Sequence, residues 1–321
     1  MVLLVSLSPC LKLMRNWKPQ PSAAPWVALA LLILTLSGAL WCLVQLGFAL
    51  ARPPADWPIE GRLYGLLLGA LALCAVAGYL GYRLAAAWSL RYDLDRNGLF
   101  ITWLGNKATI PLSQIEQIEA GGDYTLSWVA LLIRSIGLYR GQISLPAGRP
   151  LSMFSSRSPL SKDSLLVHTS SGAYAISPDA PESFVQELEQ RRRLGAIQQL
   201  APTLERGGLL SYAFWNDRPA RWAVLIAAIL NLLLIGVAMY AYPGLPELVQ
   251  LRFDAAGNLA ELRPRHQVLF LPLAAATVAL LNAGLGLVLY SREPVGARLL
   301  QWASILVQIL FAVALFAVLL P

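Results

Sequence analysis

The sequence predicts a multi-pass α-helical membrane protein with five transmembrane helices and one water-soluble domain inserted between the second and third. Three observations predict it. Of 321 residues, 57% are hydrophobic and only 13% charged, far from the soluble globular norm. Five stretches with almost no charge are long enough to cross about 30 Å of hydrocarbon at about 1.5 Å per residue. Between Arg91 and Arg193 the pattern changes to apolar residues at every second position, the spacing of half-buried strands.

The N-terminal segment, residues 1–25, carries Lys12, Arg15 and Lys18 and no acid. Its opening "MVLLVSLSPC" is a poor signal peptide, because the cations follow the apolar run and Pro9 sits beside Cys10 where a lipoprotein processing site wants small residues. Met14 is an alternative start. Residues 26–90 form a transmembrane hairpin, with spans at Trp26 to Leu50 and Leu63 to Leu90 around the proline-broken linker "ARPPADWPIEGR". Arg83 lies near the end of the second span, where its side chain is expected to snorkel toward the headgroups. Residues 197–221 are a polar connector in which Leu209 to Trp215 reads as an interfacial helix. Residues 222–321 hold three further spans, Trp222 to Tyr242, His266 to Tyr290 and Val295 to Leu320, with an outer loop at 243–265. Trp26, Trp57, Trp88, Trp222, Tyr240, Tyr242 and Tyr290 fall near span ends, where amphipathic rings favour the interface.

Short flanks set orientation. The basic N-terminal segment belongs in the cytoplasm, whereas Arg52 and Arg62 of the first linker are balanced by Asp56 and Glu60. Five crossings then put the soluble domain in the cytoplasm and the C-terminus outside. Arg292 and Arg298 against Glu293 give a weakly positive inner connection, in agreement.

Within the soluble stretch, Leu94, Leu99, Ile101 and Trp103 flank Asn97-Gly98, a pair that favours a tight hairpin turn. Further strands are expected at Lys107 to Ile110, Ile115 to Ile118, Arg140 to Leu145, Leu165 to Thr169 and Ala173 to Ser177, the last two joined by a turn at Ser170-Ser171-Gly172. From Asp179 the period lengthens. Asp179 is placed to cap a helix, Glu182 follows in capping-box spacing, and Phe184, Val185 and Leu188 share one face. This order resembles the bacterial pleckstrin-homology-like (PH-like) domains, as do the strings "IPLSQIEQIE" at 110–119, "GLYRGQISLPAG" at 137–148 and "AYAISPDAPESFVQEL" at 173–188. The resemblance covers about a third of the chain, residues 91–196. It implies a small barrel plugged by a C-terminal helix, used for binding or assembly and not for catalysis. Fold alone never proves function.

The outer-loop sequence "YPGLPELVQLRFDAAGNLAELRPRHQVLFLPL", 242–273, resembles a membrane module of bacterial immunity and signalling proteins of the SdpI type. Leu245, Pro246, Phe253, Asp254, Gly257 and Pro272 match its pattern, while Arg252 stands where that module has His and Gln250 where Pro is common. A strand at Leu248 to Phe253 and a tight turn from Asp254 to Gly257 make a structural cap an equally good account.

Signatures of chemistry are missing from the sequence. His168 and His266 are too few and too far apart for a zinc site, a triad or a bis-histidine haem, and Cys10, Cys42 and Cys74 form no CxxC. There is no Walker loop and no dinucleotide fingerprint, so no enzyme and no cofactor is expected. No Asp or Glu lies inside a span, which argues against ion-coupled transport. Gln45, Asn231, Asn282 and Gln308 are suited to interhelical hydrogen bonds, and Gly65 and Gly69 form a GxxxG packing face in the second span.

Three features suit binding. Arg191, Arg192 and Arg193 end the amphipathic helix, where they face anionic lipid or simply complement the helix dipole. Leu126 to Ile133, with Trp128 at its centre, is apolar enough to be a core strand or a docking surface. Arg252 and Asp254 mark the outer loop. Net charge is +7 overall, yet Arg91 to Arg221 holds 14 basic and 12 acidic residues, so nucleic acid is not an expected partner. The expected partners are membrane lipids and a membrane protein or a second copy. The expected role is a non-catalytic scaffold, regulator or accessory subunit of a membrane assembly, with ligand sensing through the outer loop as the alternative.

Overall fold

The structure is a computed structural model that describes residues 14–122, 136–144, 149–159, 161–207, 212–253 and 259–319. It divides into two compact units. One comprises Met1–Leu36 and Ala75–Ser211, the other Ser37–Cys74 and Tyr212–Pro321, so the division falls inside helices α1 (Ala24–Leu50) and α2 (Gly61–Ser89).

In the first unit, two five-stranded sheets face a common core. The first sheet is ordered β1-β2-β3-β4-β10: β1 (Arg15–Trp17), β2 (Arg91–Leu94), β3 (Gly98–Trp103), β4 (Asn106–Pro111) and β10 (Thr203–Glu205), all antiparallel. The second is ordered β5-β8-β9-β7-β6, with β5 (Ile115–Ala120), β6 (Tyr139–Ser144), β7 (Pro150–Ser155), β8 (Leu165–Thr169) and β9 (Gly172–Ile176). Only the β7–β9 pairing is parallel among the described strands. Helix α3 (Pro181–Leu194) sends Phe184 and Leu188 into the core beside Tyr92, Leu94, Ile101, Ile110, Val167 and Ile176. Tyr92 is fully buried there. Its hydroxyl donates to the Phe154 carbonyl at 2.7 Å, and burial pushes its pKa up to about 12.

Several expectations need correction. The expected barrel is not closed: among the described residues no hydrogen-bonded ladder joins the two sheets, and the outer edge of β4 is taken by β10 instead. Asn97-Gly98 does close the expected β2–β3 hairpin, where the Asp95 amide donates to the Gly98 carbonyl at 3.0 Å, but without positive φ at either residue. Gly98 opens β3 in extended backbone, where a Cβ would lie 3.1 Å from the Ile110 carbonyl oxygen. The two-residue turn with positive φ at both positions is Leu104-Gly105, at φ 46° and 75°, between β3 and β4. Helix α3 begins a residue later than its sequence signature, with Ala180 as cap and no side-chain capping bond. Asp179 instead accepts the Ala180 amide, at 3.1 Å.

The second unit centres on α4 (Arg218–Ala241), α5 (Phe270–Leu289) and α6 (Pro294–Leu319), with a β-hairpin of β11 (Leu248–Phe253) and β12 (Leu259–Pro264) between the first two. Its core joins Ile59 and Leu63 of the first hairpin to Leu234, Ala238, Val249, Val268 and Leu315. Counting α1 and α2, five helices among the described residues are long and apolar enough to cross a membrane. The stretch expected to be an interfacial helix shows a single 3-10 turn at Ala213–Asn216, residues 208–211 lying outside those described.

Candidate functional site

The soluble domain is fastened to α2 through Arg83. The helix carries this residue inward on the face it shares with Ala86 and Leu90, both core residues of the domain. Arg83 is 5% exposed and does not reach toward headgroups as the sequence suggested. Its Nε donates to the Ile136 carbonyl at 2.9 Å and Nη2 donates to that of Leu138. Between them Gly137 sits at φ 78°, and a Cβ there would lie 3.3 Å from the Arg83 backbone, so a side chain would disturb the junction. At the residue preceding Arg83, the Tyr82 hydroxyl accepts from Arg140, whose guanidinium lies 5.3 Å from the Tyr82 ring and 5.0 Å from that of Trp103.

The segment before α1 is also part of the domain. Trp17 in β1 is 4% exposed and meets the Phe184 ring edge-on at 5.5 Å. Arg15 pairs with Glu187 at 2.8 Å, Asn16 donates to Asp93 at 2.8 Å, and Ser156 donates to the Gln20 carbonyl at 2.7 Å. Burial raises the Asp93 carboxyl, with Asn16, Arg91, Thr102 and Lys107 acting in the opposite direction.

Where the two sheets fail to close, a cleft of about 460 Å³ opens between β4, β10 and the β6–β7 edge. Trp103, Phe154 and Tyr174 give it aromatic walls, Arg140 supplies one cation, and Gln142 and Thr203 add polar edges. The indole Nε1 of Trp103 is buried without a hydrogen-bond partner among the described residues. Such a lining suits a ligand with an apolar body and an acceptor or anionic tip.

The residues singled out from sequence are not brought together. Arg191 is tied down: it donates to the Leu94 carbonyl and pairs with Glu187. Arg192 reaches the Glu116 carbonyl at 3.5 Å, and both Arg192 and Arg193 are exposed beside the exposed Leu194 and Ile197. Gly69 turns toward α1, its Cβ position 3.6 Å from Cys42 Sγ, whereas Gly65 faces open space. The GxxxG face is therefore half used within the chain. The backbone of Arg252 stands opposite that of Glu261 in the β11–β12 ladder, while Asp254, Trp128 and the stretch around Trp128 lie outside the described residues. Among the described residues no group of three metal-ligating side chains converges. His168 Nε2 comes within 3.3 Å of Glu119, and His266 meets Phe270 edge-on at 6.3 Å.

Sequence reasoning missed a polar seam in the second unit. Asp217 caps α4 through the Ala220 amide at 3.4 Å and accepts Tyr290 at 2.7 Å and Arg298 at 2.6 Å. Burial works to raise this carboxyl, but the hydrogen bonds from Arg298, Tyr290 and Ala220 outweigh it and hold the group below the usual carboxylate range. Further along α6, Gln301 donates to the Asn282 carbonyl at 3.3 Å. Gln308 donates to Ala275 at 2.9 Å and accepts from Asn231 at 3.1 Å, and Asn231 also donates to the Pro272 carbonyl at 2.9 Å. The interhelical use of Asn231 and Gln308 agrees with their sequence reading. The Asp217-Arg218-Pro219 string is a legible cap signal, but nothing local names the partners.

No curated protein and no solved structure matches the chain. Residues 90–192 match the family model of the bacterial PH domain. The inserted unit is therefore a domain of bacterial PH type, and β1 and β10, which complete its first sheet, lie outside the matched residues.

Proposed function

We propose that this protein is a non-catalytic scaffold, regulator or accessory subunit of a membrane protein assembly, in which the PH-like domain is held on the cytoplasmic face of the cell membrane. The observation that carries this reading is that the domain is built into its anchor. Strand β1 precedes the first membrane helix, Arg83 of the second is buried in the domain, and β10 follows the matched region. A domain tied to its anchor at both ends of its sequence stays at the membrane, which suits holding a partner there better than capturing a diffusing ligand. The partner-facing features are the aromatic cleft beside Arg140 and the exposed Leu194 and Ile197 flanked by Arg192 and Arg193. The basic N-terminal segment supports a cytoplasmic N-terminus, with the C-terminus outside.

The test is purification from native membranes in mild detergent, with mass spectrometry and a native-size measurement. A stoichiometric set of membrane proteins supports the reading. A lone chain or a homo-oligomer removes it and favours the second reading, a signalling or immunity-type protein that senses a ligand through its outer loop. That second reading draws on the SdpI-type resemblance and on the β11–β12 hairpin, whose Val249 is seated in the helical core. It requires that Arg252→Ala and Asp254→Ala abolish a response, whereas a scaffold tolerates both.

A further inference from the structure

At the end of the second unit that carries the α1–α2 linker, a slot of about 230 Å³ is lined entirely by apolar side chains. Ile59, Leu63, Met239 and Leu269 are buried at its floor, and Leu50 and Leu273 stand exposed at its rim. Trp57 also lines it, and the one polar atom of that indole is already committed to the Leu50 and Arg52 carbonyls, at 3.2 and 2.8 Å. Leu63 borders a second recess as well, of about 240 Å³, whose edge carries Arg52, Arg62 and Glu60.

We propose that the slot holds an acyl chain of an anionic phospholipid whose headgroup is met by Arg52 and Arg62. The helices bounding the slot are long and apolar enough to span a membrane, which would place its exposed rim at Leu50 and Leu273 near the edge of the hydrocarbon. An empty slot of this lining forfeits dispersion contacts on every side, and water finds no polar partner in it. A lipid chain restores those contacts, and Arg52 and Arg62, balanced in charge by Asp56 and Glu60 but ion-paired to neither among the described residues, have guanidinium groups free to turn to a phosphate at the recess edge. A polar ligand is excluded by the lining. A second copy's side chain is the competing occupant.

The full-length protein, reconstituted in vesicles of phosphatidylcholine with phosphatidylglycerol and then extracted, is examined by native mass spectrometry for retained lipid. The wild type is expected to keep phosphatidylglycerol selectively. Met239→Trp, which fills the slot, is expected to lower retention by about an order of magnitude, given the stabilisation each buried methylene supplies. Arg52→Gln with Arg62→Gln is expected to keep a lipid but lose the preference for phosphatidylglycerol. Should Met239→Trp fail to fold, Ile235→Phe in the same wall serves instead. Equal retention by wild type and the filled variant overturns the proposal. So does a filled variant that breaks up a homo-oligomer with its lipid unchanged, which would put a second copy in the slot. An unchanged headgroup preference in the double arginine variant overturns the assignment of Arg52 and Arg62.

Discussion

Arg83 shows how one side chain decides whether the PH-like domain stays on its helix. Replacing it with Met keeps the apolar stem but leaves the Ile136 and Leu138 carbonyls without this donor in a buried place, at about 1–3 kcal/mol for each group that stays unpaired. Arg83→Lys is expected to recover little, since a compact ammonium lacks the forked donor geometry that serves two carbonyls. Thermal unfolding in detergent checks both variants. Asp217 predicts a pH dependence. Its folded pKa lies below the unfolded value, so its contribution is complete above about pH 4 and is lost as pH falls through the depressed value. Asp217→Asn should lower the melting temperature at neutral pH and flatten the acid limb of the stability profile. Both residues were visible as letters, one at a helix end and one before Arg-Pro. Their roles were not, because the partners lie 53 and 55 residues away for Arg83 and 73 and 81 away for Asp217.

Elements of ample length could be read from the pattern, and short ones could not. Leu165–Thr169 and Leu248–Phe253 coincide with their predicted strands, and all five long helices fall on their predicted spans, because burial imposes a period on enough residues to be seen. Strands β1 and β10, of three residues each, impose none. The Asn97-Gly98 signal located the β2–β3 hairpin but not its geometry, because close approach to a neighbouring carbonyl also favours glycine, and the letter does not say which need it answers. Gly207 tests β10 in the same way. A Cβ there would lie 1.9 Å from the Gly105 carbonyl oxygen, a backbone atom with little room to move. Gly207→Ala is expected to cost about 1–3 kcal/mol and to release β10. Hydrogen exchange at Thr203 to Glu205 should rise while β3 stays protected.

For the molecule as a whole, the membrane class was legible from composition and the PH-like insertion from strand order and three local strings. What stayed hidden was the true extent of the domain, because its outermost strands come from beyond the stretch that looks like it. A soluble fragment of residues 90–207 lacks β1 and leaves the Trp17 place beside Phe184 empty. Removing that ring by Trp17→Ala in the full chain is expected to cost about 3–5 kcal/mol. The fragment should be correspondingly unstable, and a peptide of residues 14–20 should raise its melting temperature. Failure of the peptide to do so would mean that β1 docks only through its tether.

The pairing of β1 with β2 also bears on biogenesis. Two helices long and apolar enough to cross a membrane lie between these strands, so on the proposed topology the ladder Arg15–Leu94 to Trp17–Tyr92 forms only when both have been inserted and the chain has returned to its starting side. A hairpin that inserted only its first helix would strand Trp17 and Tyr92 on opposite sides of the bilayer. Completion of the domain thus reports that the first two helices are correctly threaded, and an assembly factor or protease that tests the folded domain would thereby be inspecting membrane topology.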